Sequence, residues 1–72
     1  MNTADAILKI LKLCGELTIY DDAAIIRIET PTVKLYLPKE AELHDIYETL
    51  KPHANVIIYD EAKKMITAKI WK

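Results

Sequence analysis

The sequence predicts an α+β fold of two layers, a five-stranded antiparallel or mixed sheet with two helices on one face, in the order α-β-β-β-α-β-β. Three observations predict it. Apolar residues recur at helical spacing in two segments, one ending at Gly15 and one lying between Pro38 and Pro52. Five short runs rich in Ile, Val, Leu, Tyr and Thr occupy the remainder. When those runs are paired across their turns, the aliphatic partners collect on one face. At 72 residues the chain has room for one core, so 1–72 is read as a single domain.

The first helix begins where Thr3 can cap it and Asp5 meets its positively polarised first turn. Ala4, Ile7, Leu8, Leu11 and Cys14 follow, and Gly15 is a good stop. Ala6, Ile10 and Leu13 add a second apolar flank, so the apolar arc spans about 220° where a one-sided surface helix needs ~100°. Only Asp5, Lys9 and Lys12 face water. This helix should be covered on more than one side, by the second helix or by another chain.

A three-strand meander comes next. With Asp21-Asp22 as a two-residue turn, Ile19 opposes Ala24, Leu17 opposes Ile26 and Glu16 opposes Arg27. Through Thr30-Pro31 the same register sets Ile28 against Val33, Ile26 against Leu35 and Ala24 against Leu37. Even-numbered residues of the second strand look inward and odd-numbered ones outward. Pro31 is a poor second residue for a primed turn, which points to a four-residue loop or a cis bond there.

Pro38 suits the first position of the second helix and Pro52 ends it. Leu43, Ile46, Tyr47 and Leu50 form its narrow apolar stripe. A last hairpin with Glu61-Ala62-Lys63 as its loop sets Ile58 against Ile66, Val56 against Ala68 and Ala54 against Ile70. Asp60 and Lys64 then flank the turn as an opposite-charge pair. The expected strand order is 3-2-1-4-5.

Composition narrows the function classes. Ten basic and eleven acidic residues give a net charge of −1, which disfavours a duplex DNA binder because phosphate neutralisation drives such binding. Cys14 is the only cysteine, so an internal disulfide is excluded and a reducing compartment fits. The opening Met1-Asn2-Thr3-Ala4-Asp5 lacks the basic start of a secretory leader. No apolar run reaches the ~18 residues that cross a bilayer. A cytoplasmic protein with no membrane role is expected. The absence of Ser, Gln and Phe, beside many Ile, Lys and Glu, is usage of a thermophilic kind. So small a domain buries only about 60% of its unfolded surface, and oligomerisation is a common remedy.

Motifs for chemistry are weak throughout. His44 and His53 are nine apart with Pro52 between them, not the four that seats a metal pair on a helix. Cys14, on the core side of its helix with no basic neighbour, reads as a buried structural thiol. Asp21-Asp22 and Asp60-Glu61 read as turn residues. Serine is absent and Gly15 is the sole glycine, so neither a serine nucleophile nor a glycine-rich phosphate loop can be built. No enzyme, metal or cofactor is expected. The helix–three strands–helix order matches double-stranded RNA-binding domains in element order alone. Where those carry a basic cluster at the start of the second helix, this chain has Lys39-Glu40-Ala41-Glu42, and the family is not assigned.

One functional clue is left, the sheet face turned away from the helices. By parity it holds Tyr20, Ile25, Tyr36, Ile57, Tyr59, Met65 and Trp71, together with Glu16, Thr18, Arg27, Lys34, Thr67 and Lys69. A face open to water should be mainly polar. Scattered exposure through strand twist is the plain explanation. A protein interface, most simply a homodimer, is the second, since aromatics, Met and Arg are enriched in interfaces. The third is single-stranded nucleic acid stacked on Tyr36 and its neighbours beside Arg27, Lys34 and Lys69.

Overall fold

The computed structural model describes residues 2–71. Helix α1 (Thr3–Cys14) leads into strands β1 (Glu16–Asp21), β2 (Ile25–Glu29) and β3 (Lys34–Pro38). Helix α2 (Leu43–Leu50) then precedes β4 (Val56–Asp60) and β5 (Met65–Lys69). The five strands form one antiparallel sheet in the order β3-β2-β1-β5-β4, so the α+β class and element order are as predicted. The expected order 3-2-1-4-5 is corrected at its last two places. Because β3 and β4 run the same way, placing β4 beside β1 would have made a parallel pair. Docking the return strand β5 there keeps every neighbour antiparallel.

Local sequence accounts for the element ends, with two corrections. Asn2 caps α1, its side-chain oxygen accepting the Asp5 N–H at 2.9 Å. Asparagine outranks threonine at this position, and Thr3 instead lies buried with its hydroxyl donating to the Pro38 carbonyl at 3.4 Å. Gly15 ends the helix at φ 86°, where its N–H reaches the Leu11 carbonyl. Pro38 is the last residue of β3 rather than the first of α2, since an edge strand tolerates proline. Helix α2 therefore starts only at Leu43, with Glu42 as an N-cap whose side chain makes no capping bond. Among the described residues, no helix is long and apolar enough to cross a membrane.

Inside the sheet the predicted parity holds for β1, β2 and β3 although the partners shift. Ile19 pairs with Ile28, and Ile28 in turn with Leu35. The turns are longer than the two-residue ones assumed. Asp21 still pairs with Ile26, the intervening turn placing Ala23 at φ 73°, and four residues, Thr30 to Val33, join β2 to β3 through all-trans peptides. Both shifts are even, so each side chain keeps its face. Ile26 and Ile28 are fully buried, while Ile25 and Arg27 look outward.

The final hairpin breaks that rule. Asp60 pairs with Met65, leaving Glu61, Ala62, Lys63 and Lys64 as the loop, with Lys64 at φ 53°. The Asp60 carboxylate accepts the Lys63 N–H at 3.0 Å and holds this longer turn. One extra loop residue reverses β4. Val56 and Ile58 turn outward, and Ile57 and Tyr59 turn to the helices.

The buried side chains form one cluster. Ile7 and Leu11 from α1, Ile46 and Leu50 from α2, and Ile19, Ile26, Ile28 and Ile66 from the sheet are all fully buried in it. Each contributes about 1.5–3 kcal/mol relative to exposure. Helix α1 packs on both β1 and α2, which half-covers Ala6 and Ile10 on its second flank but leaves Leu13 78% exposed, so the expectation that only Asp5, Lys9 and Lys12 face water is corrected. Leu11 is its last buried position, and Cys14 lies beyond, exposed. The expectation of a buried Cys14 thiol is thus corrected: the chain turns at Gly15 before anything can cover the final helical turn.

Candidate interaction surface

The strand registers lay the outer face out in rows. One row reads Tyr36, Arg27, Tyr20, Met65 and Asp60 from β3 to β4. The next reads Lys34, Glu29, Thr18, Thr67 and Ile58. Beyond these, Pro38 sits beside Ile25 at one end, and Glu16, Lys69 and Val56 adjoin at the other. Tyr20, Ile25, Arg27, Lys34, Tyr36, Met65 and Lys69 therefore lie where parity placed them. Trp71 continues the outward series past β5 and is 63% exposed, its main-chain N–H donating to the Asn55 side-chain oxygen at 2.8 Å.

Ile57 and Tyr59 do not belong to this face. Both pack against the core, and the Tyr59 ring lies 5.6 Å from that of Tyr47 on α2. The four-residue loop of the last hairpin is the cause. In their place the face gains Val56, 39% exposed, and Ile58, 60% exposed. Sequence periodicity had no means of finding these two, because Val56-Ile57-Ile58-Tyr59 is apolar at every position and parity leaves no mark on such a run.

The centre of the face is polar and internally matched. Arg27 donates from Nε to Asp22 at 2.9 Å and from a terminal nitrogen to Glu29. Its guanidinium also lies 4.0 Å from the Tyr20 ring centroid, a cation–π contact. The bond to Asp22, followed by that to Glu29, raises the Arg27 pKa above its ordinary value. Lys34 is paired in register with Glu29, and Lys69 with Glu16. Every cation proposed for phosphate contact therefore has a carboxylate beside it.

The apolar side chains are consequently not one sheet of surface. Ile25 and Tyr36 make a corner patch at the β2–β3 side, with Tyr36 61% exposed. Val56 and Ile58 make another along β4, and Arg27, Glu29, Thr18 and Thr67 separate the two. An open concavity at the Val56 end is lined by Glu16, Thr18, Pro31, Val56, Lys69 and Trp71. Comparison with protein-family models, curated proteins and solved structures finds no match to this chain.

Among the described residues, titratable groups off this face meet in two places, Lys39 with Asp21 and Glu42, and His44 with Glu48. His44 stands 3.8 Å from Glu48, one turn along α2, and both are exposed. Among the described residues, no three of His, Cys, Asp or Glu come together in a way that could hold a metal ion.

Proposed function

We propose that this chain is a non-catalytic protein-interaction module that self-associates through exposed apolar side chains of its outer sheet face, the spare flank of helix α1, or both. The observation that carries the proposal is the distribution on the outer face. Arg27 is bound to Asp22 and Glu29, and Lys34 and Lys69 each have an acid at the adjoining register position, whereas Ile25, Tyr36, Val56 and Ile58 are left to water. A cation already bound to carboxylates, as Arg27 is, gains little from a charged ligand, and apolar groups in water gain from any surface that covers them. A small core gives a further incentive, since a second copy adds buried area that 72 residues cannot supply alone. An exposed lone thiol at Cys14 fits a reducing compartment such as the cytoplasm.

Single-stranded nucleic acid is the lesser candidate. Of the four residues it relied upon, Arg27 is engaged with two carboxylates and an aromatic ring, which leaves Lys34, Lys69 and Tyr36. Binding of labelled oligonucleotides at low salt, with chemical shifts moving at those three residues, would revive it.

Sedimentation equilibrium tests the main proposal. The apparent mass should climb from the 8.3 kDa of one chain towards twice that value as concentration rises from micromolar to millimolar. A mass fixed at one chain up to millimolar concentration overturns it.

A further inference from the structure

A sheet ends in two edge strands, each with a row of main-chain N–H and C=O groups that only water or another strand can satisfy. Hydrogen bonds across the inner strands settle which groups these are. The Ile70 N–H donates to the Gly15 carbonyl at 2.7 Å and the Asp21 N–H to the Lys64 carbonyl at 3.1 Å. Even-numbered residues of β5 thus bond towards β1, and odd-numbered Met65, Thr67 and Lys69 bond towards β4. Their β4 partners are Asp60, Ile58 and Val56. Ile57 and Tyr59 therefore point their main-chain groups out of the sheet. At the opposite edge, the Thr30 N–H reaches the Val33 carbonyl at 2.9 Å and the Lys39 N–H the Ala24 carbonyl at 3.2 Å. By the same alternation, Lys34, Tyr36 and Pro38 are the outward residues of β3.

The two edges differ in kind. Pro38 has no N–H to offer, its carbonyl accepts from the Thr3 hydroxyl, and Lys34 puts a charge on that edge. Proline and lysine at an edge prevent strands from adding. Strand β4 is less guarded: it has no proline and its one charge, Asp60, is its last residue, while Val56-Ile57-Ile58-Tyr59 is apolar throughout and Ile58 stands 60% exposed.

We propose that β4 is a pairing edge whose occupant is β4 of a second copy of this chain, related by a twofold axis at Ile58. This rests on the self-association proposed above and names the surface that would perform it. The edge is complementary to itself. An axis at Ile58 sets the strands antiparallel, so that Ile57 of each copy exchanges both main-chain hydrogen bonds with Tyr59 of the other. All four outward groups are then used. Ile58 meets its own image at the close, non-hydrogen-bonded position on the outer face. Val56 faces Asp60 of the second copy, so neither carboxylate opposes its like. The two sheets become one, as in β-strand addition. Four main-chain hydrogen bonds and one isoleucine pair are a modest contact, below the roughly 1,200 Å² of a standard interface, so dissociation in the micromolar to millimolar range is expected.

The test combines sedimentation of the wild type, Ile58→Lys and Tyr36→Glu with amide exchange of the wild type at two concentrations. Ile58→Lys should raise the dissociation constant at least tenfold with an unchanged circular dichroism spectrum, while Tyr36→Glu leaves it within twofold. In the wild type, the Ile57 and Tyr59 amides should exchange more slowly at high concentration, a readout that needs no variant. Association that survives Ile58→Lys, or is lost with Tyr36→Glu alone, or leaves those two amides unprotected, overturns the edge pairing while the self-associating module stands. A wild type that stays monomeric at millimolar concentration overturns both.

Discussion

Asp21, the last residue of β1, accepts a 2.8 Å hydrogen bond from Nζ of Lys39, which lies just past the end of β3. The bond spans the sheet over the intervening strand β2, and Lys39 also reaches Glu42 at the start of α2, at 3.4 Å. Little of the Asp21 side chain is left to water. Lys39 holds the Asp21 carboxyl below its ordinary 3.8, helped by the Ala23 N–H and opposed by partial burial. Asp21 in turn raises the Lys39 ammonium above its ordinary 10.5.

Stability should therefore depend on pH in a way that one variant can isolate. A carboxyl whose pKa is lowered on folding binds fewer protons in the folded state, so its contribution is complete above the unfolded value and fades as pH falls through the folded one. A raised amine contributes fully below its unfolded value and fades as pH climbs through the folded one. The pair should thus support the fold between about pH 4 and 10 and fail beyond either end. In thermal melts across pH, Asp21→Asn should lower Tm by a few degrees at pH 7 and flatten the acid limb. An acid limb of unchanged slope would contradict the linkage.

Two turns hold non-glycine residues in the left-handed region, Ala23 at φ 73° and Lys64 at φ 53°. That conformation costs an L-residue about 1–2 kcal/mol, and glycine escapes the cost but gains about 0.4–1 kcal/mol of unfolded-state entropy. Ala23→Gly and Lys64→Gly should each stabilise by up to about 1 kcal/mol, or about 4–8 °C in a domain this small. Ala24→Gly, one residue along and outside that region, is the control and should not stabilise. Urea titrations read the sign directly.

The start of α1 offers a separate check. Asn2 presents its side-chain oxygen to the Asp5 N–H at 2.9 Å. Removing it with Asn2→Ala should cost about 0.5–2 kcal/mol, while Asn2→Asp keeps the acceptor and should cost little. Equal losses in both variants would mean that the cap is not made by that oxygen.

Much of this fold was legible because its signals are redundant. On β1, β2 and β3, alternating residues such as Ile26, Arg27 and Ile28 declare their faces, and parity survives any turn that is wrong by an even number of residues. Gly15 is a stop with one meaning. Strand order was not legible, since nothing local distinguishes β4 from β5 as the neighbour of β1. Helix spacing put Cys14 on the core stripe, but spacing does not encode where the packing partner ends. On the candidate face, Arg27 could be placed outward but not recognised as bound, because Asp22 and Glu29 come to it through the bend of a turn and the pleat of a strand.

The least legible strand gives the sharpest test. Ile57 and Ile58 are adjacent and identical, and only the hairpin's loop length decides which of them faces the core. With Asp60 paired to Met65, Ile57 packs on the cluster while Ile58 is 60% exposed. Ile57→Lys must drag a charge towards that cluster and should cost about 2 kcal/mol or more. Ile58→Lys adds its charge in water and should change monomer stability by no more than about 0.5 kcal/mol. A three-residue loop would exchange the two results. Chemical denaturation at a concentration low enough to exclude association compares them cleanly, and a greater loss from Ile58→Lys would return Ile57 and Tyr59 to the outer face and move the outward main-chain groups to Val56, Ile58 and Asp60, which removes the pairing register proposed for the dimer.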